Sequence, residues 1–386
     1  HSNVHAAFFS STIVLQVVYI SSILNTIGGS IILDMVSHDV NVRDFLLSFS
    51  LFLLKDEIIN YLDTPGETHY ITTVDGYILT MHRIPNPGGV PVYLQHGFMD
   101  SSATWVLTGP GKALAFILAD EGFDVWMGNF RGNRYSRNHV CKSVEDNEFW
   151  DFCWDDMGKK DVTAMIDHVL DVTCWPKLFH VGHSMGTTTF YVTASCVPEY
   201  NQKVFAHFSL APVAFMKHCR SPIRYFTYWE PFLQVLAQLK ISVFNYFELP
   251  ESLASKPDTR FLGHTPAGSS VKVMNHYAQE IDSGHFRQFD YHSPKQNLRH
   301  YNSVTPPKYD LNQITVPVSL HYSSNDALAA VLDVQRLAKG LPNVINMQLV
   351  DDPMWNHIDF TWGIEAPQLV YENVISIMKN ITMPPF

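Results

Sequence analysis

Apolar and polar positions along this chain fall into three successive patterns. From 68 to 85, "THYITTVDGYILTMHRIP" contains two β-rich runs joined by Asp75-Gly76, the strongest short hairpin signal, so antiparallel strands come first. Short apolar runs of buried-strand type follow at 90–97, 123–129, 177–183, 204–213, 316–326 and 344–352. Between several of them lie segments of helical period. "KKDVTAMIDHVLDV" puts Val162, Met165, Ile166 and Val169 on one face, and "LDVQRLAKG" is expected to end in a C-cap glycine, Gly340. Strands alternating with helices predict a mostly parallel central sheet covered by helices on both faces, an α/β domain over residues 55–386. The stretch from about 215 to 305 breaks this rhythm. It holds too many aromatics and prolines for a linker and is read as an insertion folded over the end of the sheet.

Composition supports a globular chain, with 46% hydrophobic and 16% charged residues and no excess of Gly or Pro. A net charge of −11 without a cluster of Lys or Arg argues against a nucleic-acid surface. Nineteen histidines would reverse that sign if all were protonated, so the field around the protein differs sharply in acid. The five cysteines (Cys141, Cys153, Cys174, Cys196 and Cys219) lack metal-ligand spacing, which disfavours a structural zinc, and their odd number leaves at least one free thiol. Cys196 is expected in the core. Asn380-Ile381-Thr382 is the one N-glycosylation sequon.

The first 54 residues read as a separate hydrophobic segment. Residues 6–33 contain no charged side chain, and 12–33 is long enough to span a bilayer. No basic residue precedes Arg43, so a secretory n-region is missing as written, although "FLLSFSLFLL" at 45–54 has the length of a signal-peptide core. A targeting or anchoring role for part of 1–54 is one reading, and a mis-assigned or truncated sequence is the other.

Gly182-His183-Ser184-Met185-Gly186 fits G-x-S-x-G with an apolar strand before it and a helix-capable segment after it, the context in which the serine sits on a sharp elbow as a nucleophile. A serine hydroxyl needs a base within reach and a group to orient that base. In this architecture the acid and then the histidine should follow at the ends of later strands. Asp326 ends the run at 316–326, and His357 lies in the loop after the next one. Asp333, Asp351, Asp352 and Asp359 compete less well for the acid role. His183 is read as packing and His96 as support for its loop. The N–H groups of Met185, after the serine, and of Phe98, after His96-Gly97, are the expected oxyanion donors.

At this point the blocks "LQHGFMDSSATW", "NFRGNRYSR", "EFWDFCWDDMGKKDV", "VGHSMG", "GHTPAGSS", "FDYHSPKQNLRHYNS" and "WNHIDF" resemble, in order, those of the acid lipase family, the gastric and lysosomal acid lipase group of α/β-hydrolases. The resemblance runs from about residue 55 to the C-terminus. It implies the α/β-hydrolase fold, Ser184 as nucleophile, Asp326 and His357 as its charge relay, and Phe98 with Met185 as the oxyanion hole. It also implies hydrolysis of fatty-acid esters such as triacylglycerols or sterol esters, transient contact with a lipid interface, no cofactor or metal, and a secreted or lysosomal setting. The sequence departs from the family in three places. Met185 stands where the family has a small or Gln-type residue, the region before the hairpin is reduced, and only "LASKPD" joins "FNYFELPES" to "TRFLGHTPAGSS", so the helical cap is short and Cys219 has no obvious partner there. The aromatic stretch 225–247 still suits an acyl chain.

Two other functions stay in view. A catalytically impaired lipid-binding relative is suggested by the short cap, and acyl transfer to an alcohol uses the same triad. Haloalkane and epoxide chemistry is disfavoured because it calls for Asp at the elbow.

Overall fold

A computed structural model describes residues 66–229, 242–243 and 265–382 of the chain. Strands β1 (Glu67–Thr72) and β2 (Tyr77–Ile84) pair antiparallel through a four-residue loop, Thr73 to Gly76, rather than a two-residue turn on Asp75-Gly76. The longer loop frees the Asp75 carboxylate to reach Arg131 (2.8 Å). There follow β3 (Pro91–Gln95), α1 (Leu114–Asp120), β4 (Asp124–Gly128), the short β5 (Asn138–His139), α2 (Thr163–Thr173), β6 (Leu178–His183), α3 (Met185–Cys196) and β7 (Val204–Leu210). After β7 come a two-residue ladder of β8 (Ser242–Val243) with β9 (Ser269–Ser270), then α4 (Val271–Ser283) and α5 (Pro294–Tyr301). The chain ends with β10 (Val318–Tyr322), α6 (Val331–Gly340), β11 (Val344–Leu349), α7 (Asp359–Trp362) and α8 (Glu372–Thr382).

The main sheet runs β1-β2-β4-β3-β6-β7-β10-β11, with β5 beside β2. Pairings of β1, β4 and β5 with β2 are antiparallel, and the pairings from β4-β3 to β10-β11 are all parallel. A parallel sheet needs cover on both faces, which explains why every residue of β3, β4 and β6 is buried. Val162, Met165, Ile166 and Val169 share the buried side of the helical stretch around α2, as their spacing predicts.

Two expectations need correction. Gly340 is the last residue of α6 and not its cap; Leu341 follows in extended conformation, and Gly340 lies instead against Leu311. Cys196 is half-buried because α3 ends there. All five cysteines are free thiols, with Cys141 and Cys174 exposed and Cys219 buried.

Arg131, on the loop after β4, is a buried cation. It bonds Asp161 through Nε (2.8 Å) and Nη2 (2.6 Å), reaches Asp75 with both terminal nitrogens, and lies 4.0 Å over the Tyr77 ring. The first 54 residues, including 12–33, and most of the aromatic stretch 225–247 lie outside the described residues. Among the described residues no helix is long and apolar enough to cross a membrane. Asn380 of the sequon is exposed in the last turn of α8.

Candidate active site

Ser184 lies between the end of β6 and the start of α3, with φ 52° and ψ −115°. A positive φ on a non-glycine residue costs of order 1–3 kcal/mol and persists only where the surroundings over-determine it. Here Ser184 N–H donates to Leu210 O (3.0 Å), while Ser184 O accepts from Thr187 N–H (2.9 Å) and the Thr187 hydroxyl (2.6 Å). The turn also requires α3 to start against the end of β3. A Cβ on Gly186 would lie 2.3 Å from Gln95 O, which is backbone and cannot swing away. Gly186→Ala is therefore expected to destabilise the fold by at least about 1–3 kcal/mol, read as a lower urea midpoint at unchanged slope. A midpoint equal to that of the parent would contradict the close approach.

The loops after β10 and β11 bring two more side chains to Ser184. His357 Nε2 lies 2.8 Å from Ser184 Oγ, and its Nδ1 lies 2.8 Å from Asp326 Oδ2. A carboxylate accepts only, so the imidazole carries its proton on Nδ1 and presents an acceptor to the serine hydroxyl, an assignment made from the partners. Asp326 is fully buried. Burial by itself would raise its pKa, but the His357 ring and the N–H groups of Ala329 (2.9 Å) and Leu328 (2.8 Å) outweigh it and hold the carboxyl below its ordinary range. The arrangement can take the serine proton and stabilise the imidazolium that results.

The competing acids are engaged elsewhere. Asp333 accepts from the His218 ring and backbone, Asp351 is exposed, Asp352 receives Met354 N–H, and Asp359 receives Asn356 N–H. His183, expected only to pack, does more: its Nε2 lies 2.9 Å from His357 O and fixes the backbone of the histidine loop. Burial, reinforced by the nearby His357 ring, pushes His183 down to about 3, so it stays neutral. The sequence carried a signal for this, since a polar residue at a buried elbow position needs a partner.

His96 accepts from Phe130 N–H at Nε2 (3.2 Å) and so donates from Nδ1 to Gly97 O (2.7 Å). Burial pushes its pKa down to about 4. The loop it braces runs against the serine, for a Cβ on Gly97 would lie 3.2 Å from both Ser184 Cβ and His183 Nδ1. Phe98 is the next residue, its ring 6.0 Å from that of Tyr277 on α4. Met185, on the other side of Ser184, is the first residue of α3, and a first-turn N–H has no intrahelical acceptor. Among the described residues no group of three or more His, Cys, Asp or Glu side chains could hold a metal ion.

Comparison with known proteins bears on the family and the fold. Residues 56–109 match the profile of the partial alpha/beta-hydrolase lipase region, and 90–249 match that of the alpha/beta hydrolase fold. The chain is 39% identical to Lipase 1 of Drosophila melanogaster, over 85% of this chain and 80% of that protein. It is 38% identical to gastric triacylglycerol lipase of Rattus norvegicus (84% of this chain, 91% of that one) and 35% identical to Lipase member K of Homo sapiens (84% and 90%). Among solved structures, DcsB in complex with its substrate analogue superposes with a TM-score of 0.55 at 13% identity, covering 82% of this chain and all of that one. A carboxylesterase of Nitrososphaera gargenis gives 0.51 at 13% identity over 81% and 99%. These two bear on the fold alone. With relatives above 30% identity over most of both chains, this protein belongs to the acid lipase family, the gastric lipase group of the α/β-hydrolases.

Proposed function

We propose that the protein is a serine lipase that hydrolyses fatty-acid esters, triacylglycerols or sterol esters, through an acyl-enzyme on Ser184. The observation that carries this reading is the hydrogen-bonded line from Ser184 through His357 to Asp326, built on a serine at positive φ. Ser184 Oγ attacks the ester carbonyl as His357 Nε2 takes its proton, and buried Asp326 stabilises the imidazolium. The carbonyl oxygen becomes an oxyanion, and the N–H groups of Phe98 and Met185 receive it, each worth roughly 10² to 10³ in rate. His357 returns the proton to the departing alcohol. A water deprotonated by the same nitrogen then attacks the acyl carbonyl, and fatty acid leaves with Ser184 restored. Family membership supports ester hydrolysis as the reaction, and the triacylglycerol in the name of the rat relative supports the substrate class. A secreted or lysosomal setting and transient contact with a lipid interface go with that reading.

A fluorophosphonate should add once per chain, and peptide mapping should find the adduct on Ser184. p-Nitrophenyl butyrate should be turned over by the parent and not by the labelled protein. Labelling elsewhere, or turnover that survives complete labelling, would sink the proposal. Lipid binding without turnover would point to the binding relative instead.

A further inference from the structure

Asp100 lies two residues beyond Phe98, on the loop that follows β3, and it is buried. Its Oδ1 accepts from Ser101 N–H and from the Thr265 hydroxyl, both at 2.8 Å, and the Thr104 hydroxyl is a third donor. Thr104 accepts in turn from the indole N–H of Trp362 (2.9 Å), at the end of α7, the helix that follows His357. Thr265 belongs to the stretch that leads into β9 and α4. Beside it Ala267 N–H donates to Met99 O (2.6 Å), and Asn133 Nδ2 donates to Asp100 O (3.3 Å). Met99 has a φ of 57°, so the turn between Phe98 and Asp100 is held in a conformation that an L side chain rarely adopts. One carboxyl group therefore joins three segments: the Phe98 loop, the stretch at 265–267 and the helix after His357.

We propose that Asp100 is a positioning residue for ester hydrolysis, tying Thr265 and Thr104 to the Phe98 loop so that the Phe98 N–H stays aimed at the oxyanion formed when Ser184 attacks. The inference rests on the reading of Phe98 as an oxyanion donor. Asp100 touches no reacting atom and acts through the backbone of Met99 and Phe98. Burial pushes its carboxyl up to about 6 against the pull of Ser101, Thr265 and Thr104. Among the described residues Tyr135 feels the charge of Asp100, and His96 shares the Asn133 amide with the Asp100 carbonyl. Tyr135 is pushed up to about 12, chiefly by burial, and His96 down to about 4, so of the three only Asp100 changes charge between those values.

The test measures kcat and KM for p-nitrophenyl butyrate from pH 5 to 8, with the inhibition constant of an alkyl trifluoromethyl ketone, whose serine adduct carries an oxyanion. Asp100→Ala should lower kcat about 10- to 100-fold and weaken the ketone by the same factor, with KM within about twofold, because a donor misplaced by about 1 Å is felt mainly in the transition state. Asp100→Asn keeps the acceptor oxygen for Ser101 and Thr265 and should recover most of kcat and of the ketone affinity. Thr265→Val should cause a smaller loss and add nothing in the Asp100→Ala background, as expected for one shared network. Wild-type kcat in Asp100→Ala, a kcat loss with unchanged ketone affinity, or additive losses would each overturn the proposal. If Asp100→Ala does not fold, Thr265→Val alone decides, and equal kcat and ketone affinity to the parent overturns it. Ser184→Ala is run alongside. Activity surviving in that variant defeats the serine mechanism itself, whereas a dead Ser184→Ala beside an unaffected Asp100→Ala defeats only this inference.

Discussion

Ser184→Ala and His357→Ala are each expected to lower kcat for p-nitrophenyl butyrate by on the order of 10⁶, and the double variant should be no slower than either single one. Non-additivity follows because the hydroxyl and the imidazole act as one proton-transfer unit, so the second loss removes nothing that the first had left. Asp326→Asn separates orientation from charge. Its side-chain oxygen would stay with the N–H groups of Leu328 and Ala329, which now hold Oδ1 at 2.8 and 2.9 Å. The amide NH₂ would then point at His357 Nδ1. A donor there forces the imidazole proton onto Nε2, which faces Ser184 and can no longer accept from it. A loss of about 10⁴ in kcat with KM little changed is the expected result. More than a tenth of parental kcat in the Asn variant would mean that Asp326 is not the orienting group, and strictly multiplicative losses at Ser184 and His357 would mean that they do not share a step.

Arg131→Met is expected to cost about 3–5 kcal/mol at pH 7.5, because it leaves the Asp161 carboxylate buried without its cation. Removing a pair by halves is worse than never having built it. Burial already pushes Asp161 above the ordinary carboxylate value against the pull of Arg131, and without the guanidinium it would rise further. A carboxyl whose folded pKa lies above its unfolded one binds more protons when folded, so its contribution to stability falls as pH rises through that window. The deficit of Arg131→Met should accordingly be smaller at pH 5 than at pH 7.5 in urea melts. A loss under about 1 kcal/mol, or one that grows in acid, would remove Arg131 from its role as anchor.

Much of this architecture can be read from local pattern. The strand runs, the amphipathic face of α2 and the glycine-serine elbow each depend on residues close in sequence, and the order of acid then histidine follows from the chain visiting strand ends in turn. Harder to read were contacts made across the fold. In α4, Lys272, Asn275, His276, Gln279 and Glu280 are all buried, so its polar composition hides a core helix. Lys272 meets Asp151 (2.9 Å), His276 stacks on Trp154 at 3.6 Å, and Gln279 bonds the backbone of Asp290. No periodicity announces such partners. The same holds for Asp100, which looks like an ordinary loop residue until Thr265, 165 positions away, is folded against it. His183 was legible in part: its burial could be expected from the motif, but its acceptor, His357 O, lies 174 positions away in sequence.

Ser184 and His357 are separated by 173 residues and join only because β6, β7, β10 and β11 are laid down side by side. Loop closure over such separations is slow, and parallel strands with long crossovers are slower to form than helices. When the denatured chain is returned to native conditions, ellipticity from α2 and α3 can therefore recover before any serine is competent. Regained ester turnover then serves as a clock for the arrival of the last strand.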